Sequence, residues 1–194
     1  MSPEEESTRE KILKAAVGFL FKSGLESFTT RNIAREAGVN TAAINYHFKS
    51  KENLIEEAIY AASATAFSQG LAILKDVSLP PGERLRRFYV GYSMGLVEFK
   101  WITRSAFRVF LMNERGDTRY MGLLREMVAE TAHVLGEAGA EENEQKAMAL
   151  VSGVCFPFLI MGSLPGIGSF DFGNPEMRNR YIGLLVDTVA LEKE

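Results

Sequence analysis

The chain has 194 residues, 46 % of them hydrophobic, a net charge of −3 and a single cysteine. That composition supplies enough apolar side chain for one large or two small domains with a proper core and excludes a disordered protein. The lone Cys155 excludes an intrachain disulfide and a cysteine-based zinc site and points to a reducing cytoplasm, while the opening Met1-Ser2-Pro3-Glu4-Glu5-Glu6 lacks the apolar run of a signal peptide.

Helical signals follow almost without interruption. Ser2-Pro3-Glu4-Glu5 has the form of a capping box with proline at the first helical position, so a first helix is predicted to start very near the N-terminus. Ile12, Ala15, Ala16, Phe19 and Leu20 share one face of it, and Gly24 suits its end. Thr29 or Thr30 caps a second helix that turns Ile33, Ala34 and Ala37 inward, and Gly38 supplies the permissive backbone of a turn. Asn40 then caps a third helix in which Ile44 and Phe48, four residues apart, point inward while Thr41, Ala42, Asn45 and Tyr46 stay outside. Two short helices about Ala37-Gly38-Val39, ending in Tyr46-His47-Phe48-Lys49-Ser50-Lys51, have the form of a helix-turn-helix DNA reader.

Ser50 caps a fourth helix running to about Lys75, with Leu54, Ile55, Ala58, Ile59 and Ala62 as its apolar side, before Pro80-Pro81-Gly82 interrupts the chain. Further helices are predicted over 83–100, 102–112, 118–137, 141–164 and 174–192, which makes an all-α chain of about nine helices. A helix-turn-helix domain is expected over residues 1–50 and a larger helical domain over 51–194. Leu150, Val151, Val154, Phe158 and Met161 stripe the penultimate helix, and Tyr181, Leu184, Leu185, Thr188 and Leu191 the last, with Gly153 and Gly183 available for close approach. These stripes fit either a self-association surface or an intrachain core. Pro157 is expected to kink or divide its helix. The uncharged run 147–170 invites a membrane-span test, but its glycines, Pro157 and the break at Pro165-Gly166-Ile167-Gly168 favour a buried or subunit-interface helix.

Charge is unevenly placed. Between residues 7 and 51, eight basic side chains stand against three acidic ones, whereas residues 52–194 carry fourteen against nineteen. The positive surplus therefore coincides with the candidate DNA reader, as an electrostatic footprint requires.

Thr29-Thr30, Ile33-Ala34, Ala37-Gly38-Val39, Tyr46-His47-Phe48 and Lys51-Glu52, preceded by Ile12-Leu13-Lys14-Ala15-Ala16, together resemble the N-terminal domain of TetR-family transcriptional regulators over about residues 8–54. The resemblance implies an all-α homodimer that binds a palindromic operator through its N-terminal domain. It also implies a variable second domain that takes a small effector and pairs through its last two long helices, here 141–164 and 174–192. Carried over by position, Thr29 and Thr30 meet phosphate at the start of the second helix and Arg31 reaches a base, or remains a solvated charge. Tyr46 and His47 contact the backbone at the end of the recognition helix, and Lys51 opens the fourth helix. On physical grounds Asn40, Thr41, Ala42, Ala43 and Asn45 are candidates for major-groove reading, Asn45 as an adenine reader or as a solvated side chain. His47 can instead be a half-buried cap beside Phe48, and Lys49 and Lys51 suit nonspecific attraction to phosphate.

No catalytic, metal or cofactor constellation is legible. His47 and His133 belong to different predicted domains, and Gly166-Ile167-Gly168 is too weak a pattern for a nucleotide site. The large apolar side chains of the second domain suit a core, and the effector pocket is implied by the resemblance. Tyr92, Phe107, Phe110, Met121, Phe156 and Phe158 are its candidate wall, fitting an apolar or aromatic effector. Arg104 and Arg108 can receive an anionic group or serve as surface charges. The expectation is thus a cytoplasmic transcription regulator, probed against an alternative in which the chain senses a small molecule and acts through a protein partner, its DNA-binding domain being non-functional.

Overall fold

Ser7 opens the first helix in the computed structural model, which describes residues 6–112, 118–160 and 170–190, with the side chains of 110–112 excepted. Its backbone is extended (φ −63°, ψ 154°), its hydroxyl accepts from the Glu10 amide, and Glu10 reaches back to the Ser7 amide at 2.8 Å. This reciprocal pair satisfies two of the donors that every helix start leaves orphaned. The box is therefore Ser7-Glu10; the predicted start at Ser2 lies outside the described residues, and the described helix α1 spans Thr8–Ser23. The Ser7 hydroxyl, then its amide, holds the Glu10 carboxyl below the ordinary carboxylate range. At Gly24 the backbone takes φ +61°, and a β-carbon there would come within 3.1 Å of Ser105 Oγ and 3.3 Å of the Trp101 carbonyl.

Eight more helices follow among the described residues: α2 (Thr30–Ala37), α3 (Thr41–Phe48), α4 (Lys51–Leu74), α5 (Pro81–Glu98), α6 (Lys100–Met112), α7 (Arg119–Glu137), α8 (Asn143–Ile160) and α9 (Pro175–Ala190). No strand occurs among those residues, as expected of an all-α chain. Boundaries shift where local chemistry was not anticipated. Pro81 itself is the first residue of α5, the place where a missing amide costs nothing. Glu142 takes φ +51°, so α8 starts at Asn143 and not at residue 141.

The chain forms two compact units, Met1–Thr65 with Trp101–Gly122, and Ala66–Lys100 with Leu123–Glu194. This grouping differs from a single cut after residue 50, because α4 continues from the first unit into the second and α6 joins the first. In the first unit Ile12, Leu20, Phe28, Ile33, Ile44 and Phe48 are sealed from solvent, which locks α1, α2 and α3 together. Leu54, Ala58 and Ile59 of α4 are likewise buried. The Arg119 guanidinium lies 3.8 Å over the Tyr60 ring and its amide donates to Glu56 at 3.2 Å, so the start of α7 is fastened to α4.

The second unit packs α5, α8 and α9 against one another. Leu150, Val151, Val154 and Phe158 of α8 are buried, so this stripe is intrachain core; Met161 lies outside the described residues. On α9 the buried set is Ile182, Gly183, Val186 and Ala190, whereas Leu184 is 64 % exposed and Thr188 is exposed. Of the other stripe residues Tyr181 and Leu185 are half-buried, and Leu191 lies outside the described residues, so the stripe is not the face that the fold buries. Gly153 is a true close approach: a β-carbon there would meet Leu185 at 3.1 Å. Pro157 does not divide α8. Lacking an amide, it cannot bond the Gly153 carbonyl four residues back, and the Tyr181 hydroxyl donates to that carbonyl instead at 2.9 Å.

Two arginines are buried in this unit. Arg84 donates to the Leu74 carbonyl at 3.0 Å and pairs with Glu137; Arg178 donates to the Phe172 and Gly173 carbonyls at 3.1 and 3.3 Å. The hydrogen bond from Arg84 holds the Glu137 carboxyl below its ordinary range. Phe67, Phe88, Tyr89 and Tyr92 form an aromatic cluster in which Tyr89 bonds Thr131 Oγ1 at 2.7 Å. Burial drives the Tyr89 phenol well above its ordinary pKa.

Candidate nucleic-acid interface

The candidate interface is built from α2, α3 and the turn into α4. Thr29, extended at φ −118° and ψ 146°, caps α2 by accepting the Asn32 amide on Oγ1 at 3.1 Å. Its hydroxyl proton stays available to an outside acceptor. Arg31 is exposed on the first turn and Thr30 half-buried. The helix ends in a Schellman motif: Val39 donates to the Ala34 carbonyl at 2.9 Å and Gly38 to Arg35 at 3.3 Å, with Gly38 left-handed at φ 66°. That turn is the reason for glycine at this position.

Asn40 caps α3, its Oδ1 accepting the Ala43 amide at 2.8 Å. Ile44 is 0 % and Phe48 2 % exposed, so they anchor the helix by one face. The opposite face carries Thr41, Ala42, Asn45 and Tyr46, all exposed, with Ala43 half-buried between. Tyr46 is 74 % exposed, and the half-buried His47 ring meets it edge-on at 5.0 Å. The Lys49 ammonium donates to the Tyr46 carbonyl at 3.0 Å. Ser50 Oγ accepts the Asn53 amide at 3.1 Å, capping α4, of which exposed Lys51 is the first residue.

The structure thus gathers Tyr46, His47 and Lys49 into one cluster and places Thr29, Thr30 and Arg31 on the separate first turn of α2. It also redistributes the positive charge. Arg9 of α1 pairs with Glu57 of α4 and lays its guanidinium 5.0 Å over the Phe48 ring, bracing α3 from behind. No residue spacing announces this role. Lys11, Lys14 and Lys22 line a groove of about 340 Å³ with Glu36 and Ala37 of α2. Half of the eight basic side chains therefore stand on α1 and not on the two reading helices.

The effector candidates are divided. Phe107 and Met121 lie half-buried in the first unit. In the second, Tyr92 is half-buried with its hydroxyl 3.5 Å from Cys155 Sγ, Phe158 is fully buried, and Phe156 is 61 % exposed. The Phe110 side chain lies outside the described residues. Arg104 and Arg108 are exposed.

Residues 12–58, which contain α2, α3 and their turn, match the model of the bacterial regulatory proteins of the tetR family. Residues 12–58 are a TetR-family domain. Over 84 residues it is 32 % identical to the HTH-type transcriptional repressor KstR2 of Mycolicibacterium smegmatis, an alignment that takes in 43 % of this chain and 40 % of that repressor. The chain thus spans less than half the length of this curated relative. Among solved structures, SmeT, the repressor of the Stenotrophomonas maltophilia multidrug efflux pump SmeDEF, is 20 % identical with a TM-score of 0.67 over 95 % of this chain and 89 % of that one. A TetR-like transcriptional regulator from Rhodococcus sp. RHA1 is 19 % identical with a TM-score of 0.63 over 97 % and 96 %. These likenesses extend the shared fold beyond the matched N-terminal stretch. Among the described residues no helix is long and apolar enough to cross a membrane.

Proposed function

We propose that the chain is a cytoplasmic homodimeric repressor that reads a palindromic operator, with residues 1–50 as the DNA-binding segment and 51–194 as the effector-binding and dimerising part. The observation that carries this reading is the outer face of α3: Thr41, Ala42, Asn45 and Tyr46 are exposed while Ile44 and Phe48 fix the helix from within. Thr29, Thr30 and Lys51 position the head on phosphates, and Arg31, Thr41 and Asn45 address base edges. Asn40 has its carboxamide oxygen committed to the cap and acts by setting the start of the helix.

Two such heads enter successive major grooves about 34 to 36 Å apart. Pairing through α8 and α9 is supported by Met148, Phe156, Met177 and Leu184, which leave 41 to 64 % of their surface exposed. An apolar or aromatic effector favours a form whose spacing no longer fits both half-sites, through a difference in affinity of about 1 to 3 kcal/mol. Tyr92 and the aromatic side chains of the helical remainder are the candidate contacts, and α4, which continues from one unit into the other, is the lever. Selection of genomic fragments with the purified full chain tests the proposal. A common palindromic site is expected, and recovery of unrelated fragments would sink it.

A further inference from the structure

Between the recognition helix and α4 stands Lys49, with φ 68° and ψ −44°. The Ser50 amide donates across it to the Phe48 carbonyl at 2.8 Å. A hydrogen bond spanning one residue at these angles makes a γ-turn of the strained kind. Glycine enters this region of φ freely, whereas a β-carbon does not. Among the described residues of this unit the other positions of positive φ are glycines, Gly24 and Gly38, so a lysine here needs a reason. The reason lies in where its amine goes. Nζ donates to the Tyr46 carbonyl at 3.0 Å and stands 5.6 Å from the centre of the Tyr46 ring, within the reach of a cation over an aromatic face. The edge-on His47 ring supplies the second contact on a side chain that is otherwise 74 % exposed.

We propose that Lys49 is a positioning residue for DNA reading: its amine closes the end of α3 and holds the Tyr46 ring ready for phosphate, instead of neutralising a phosphate itself. This rests on the reading of Tyr46 as a DNA contact. The lysine stem runs back along α3, bringing its ammonium to the Tyr46 carbonyl three residues earlier. An ammonium has three donors, so the test must separate posture from charge.

The full chain is compared with K49G, K49A, Y46A and K49G/Y46A on the duplex recovered by selection and on a mixed-sequence duplex of equal length. K49G relieves the strain but loses the amine. It is expected to melt above K49A yet bind the selected duplex roughly tenfold more weakly than the parent, with an unchanged salt dependence. K49G/Y46A is expected to bind no more weakly than Y46A. In the DNA-free protein the Lys49 ε-methylene protons should resonate upfield, under the Tyr46 ring, and return to the ordinary position in Y46A. The proposal is overturned by a salt slope shallower by about 0.9 in K49G, the signature of one lost phosphate contact. Additive losses in the double variant, or ε-protons indifferent to Y46A, overturn it as well. A parent chain that binds neither duplex removes the DNA role of Tyr46 and this proposal together, whereas a parent that binds normally leaves the other outcomes to decide on Lys49 alone.

Discussion

At the scale of single residues, the exposed pair Tyr46 and Lys51 and the buried Arg84 act by different physics. On the proposed docking Lys51 supplies one charge near phosphate, so Lys51→Ala should reduce the salt slope of DNA binding by about 0.9 with little change in base preference. Tyr46→Ala should weaken binding about ten- to a hundredfold through a lost charge-assisted hydrogen bond, as read in a titration at fixed salt. Arg84 is 2 % exposed and pairs with Glu137. Glu137→Ala leaves that cation buried without its ion-pair partner, whereas Arg84→Met replaces it with an apolar side chain of similar length. Thermal melts should therefore place Glu137→Ala below Arg84→Met; the reverse order would mean that packing of the arginine stem dominates. Glu10 and Glu137 both have carboxyls held below their ordinary range in the fold. Their stabilisation is present above the pKa of an unfolded carboxylate, about 4.3, and is lost as pH falls through the depressed folded values. Melting temperature should drop on acidification below about pH 4, and E10Q or E137Q should flatten that drop.

At the scale of elements, α8 shows how a rule-breaking residue is accommodated. Pro157 deletes a helix bond, and the Tyr181 hydroxyl takes up the stranded Gly153 carbonyl. Tyr181→Phe should then cost about 1 to 3 kcal/mol in the parent, because a part-buried carbonyl loses its donor. In a Pro157→Ala background, where the helix supplies its own amide, the same change should cost little. A double-mutant cycle by denaturant unfolding reads that coupling, and strict additivity would contradict it. This repair was not legible in the sequence, which announces Pro157 as a break but cannot say that a residue 24 positions later will be folded against it. What was legible is local: the caps at Thr29, Asn40 and Ser50, the turn at Gly38, and the inward pair Ile44 and Phe48 all follow from hydrogen-bonding and periodicity within a few residues. The Ser7-Glu10 box was equally local, but the proline-bearing Ser2 signal obscured it. Whether the α9 stripe is core or surface was not legible, because Leu184 and Leu185 satisfy the helical period on either of two faces, and the approach of Leu185 to Gly153 distinguishes them. The roles of Arg9 and Arg84 have no local sequence mark, because their partners Glu57 and Glu137 stand 48 and 53 residues away.

For the whole molecule, the exposed apolar side chains of α8 and α9 carry the dimer prediction. Sedimentation at micromolar concentration should give a dimer, and Phe156→Glu with Leu184→Glu should give a folded monomer whose affinity for the full palindrome falls while a half-site is bound as before. A monomeric parent would remove α8 and α9 from that role. The two units can also be followed separately, because the chain has one tryptophan. Trp101 sits in the first unit with its backbone carbonyl against Gly24 at the end of α1, so emission excited at the red edge of the protein absorbance reports that unit and is blind to the aromatic cluster of Phe88, Tyr89 and Tyr92. The molecule thus carries a built-in optical label on its first unit, against which circular dichroism of all its helices can be compared during a single heating ramp.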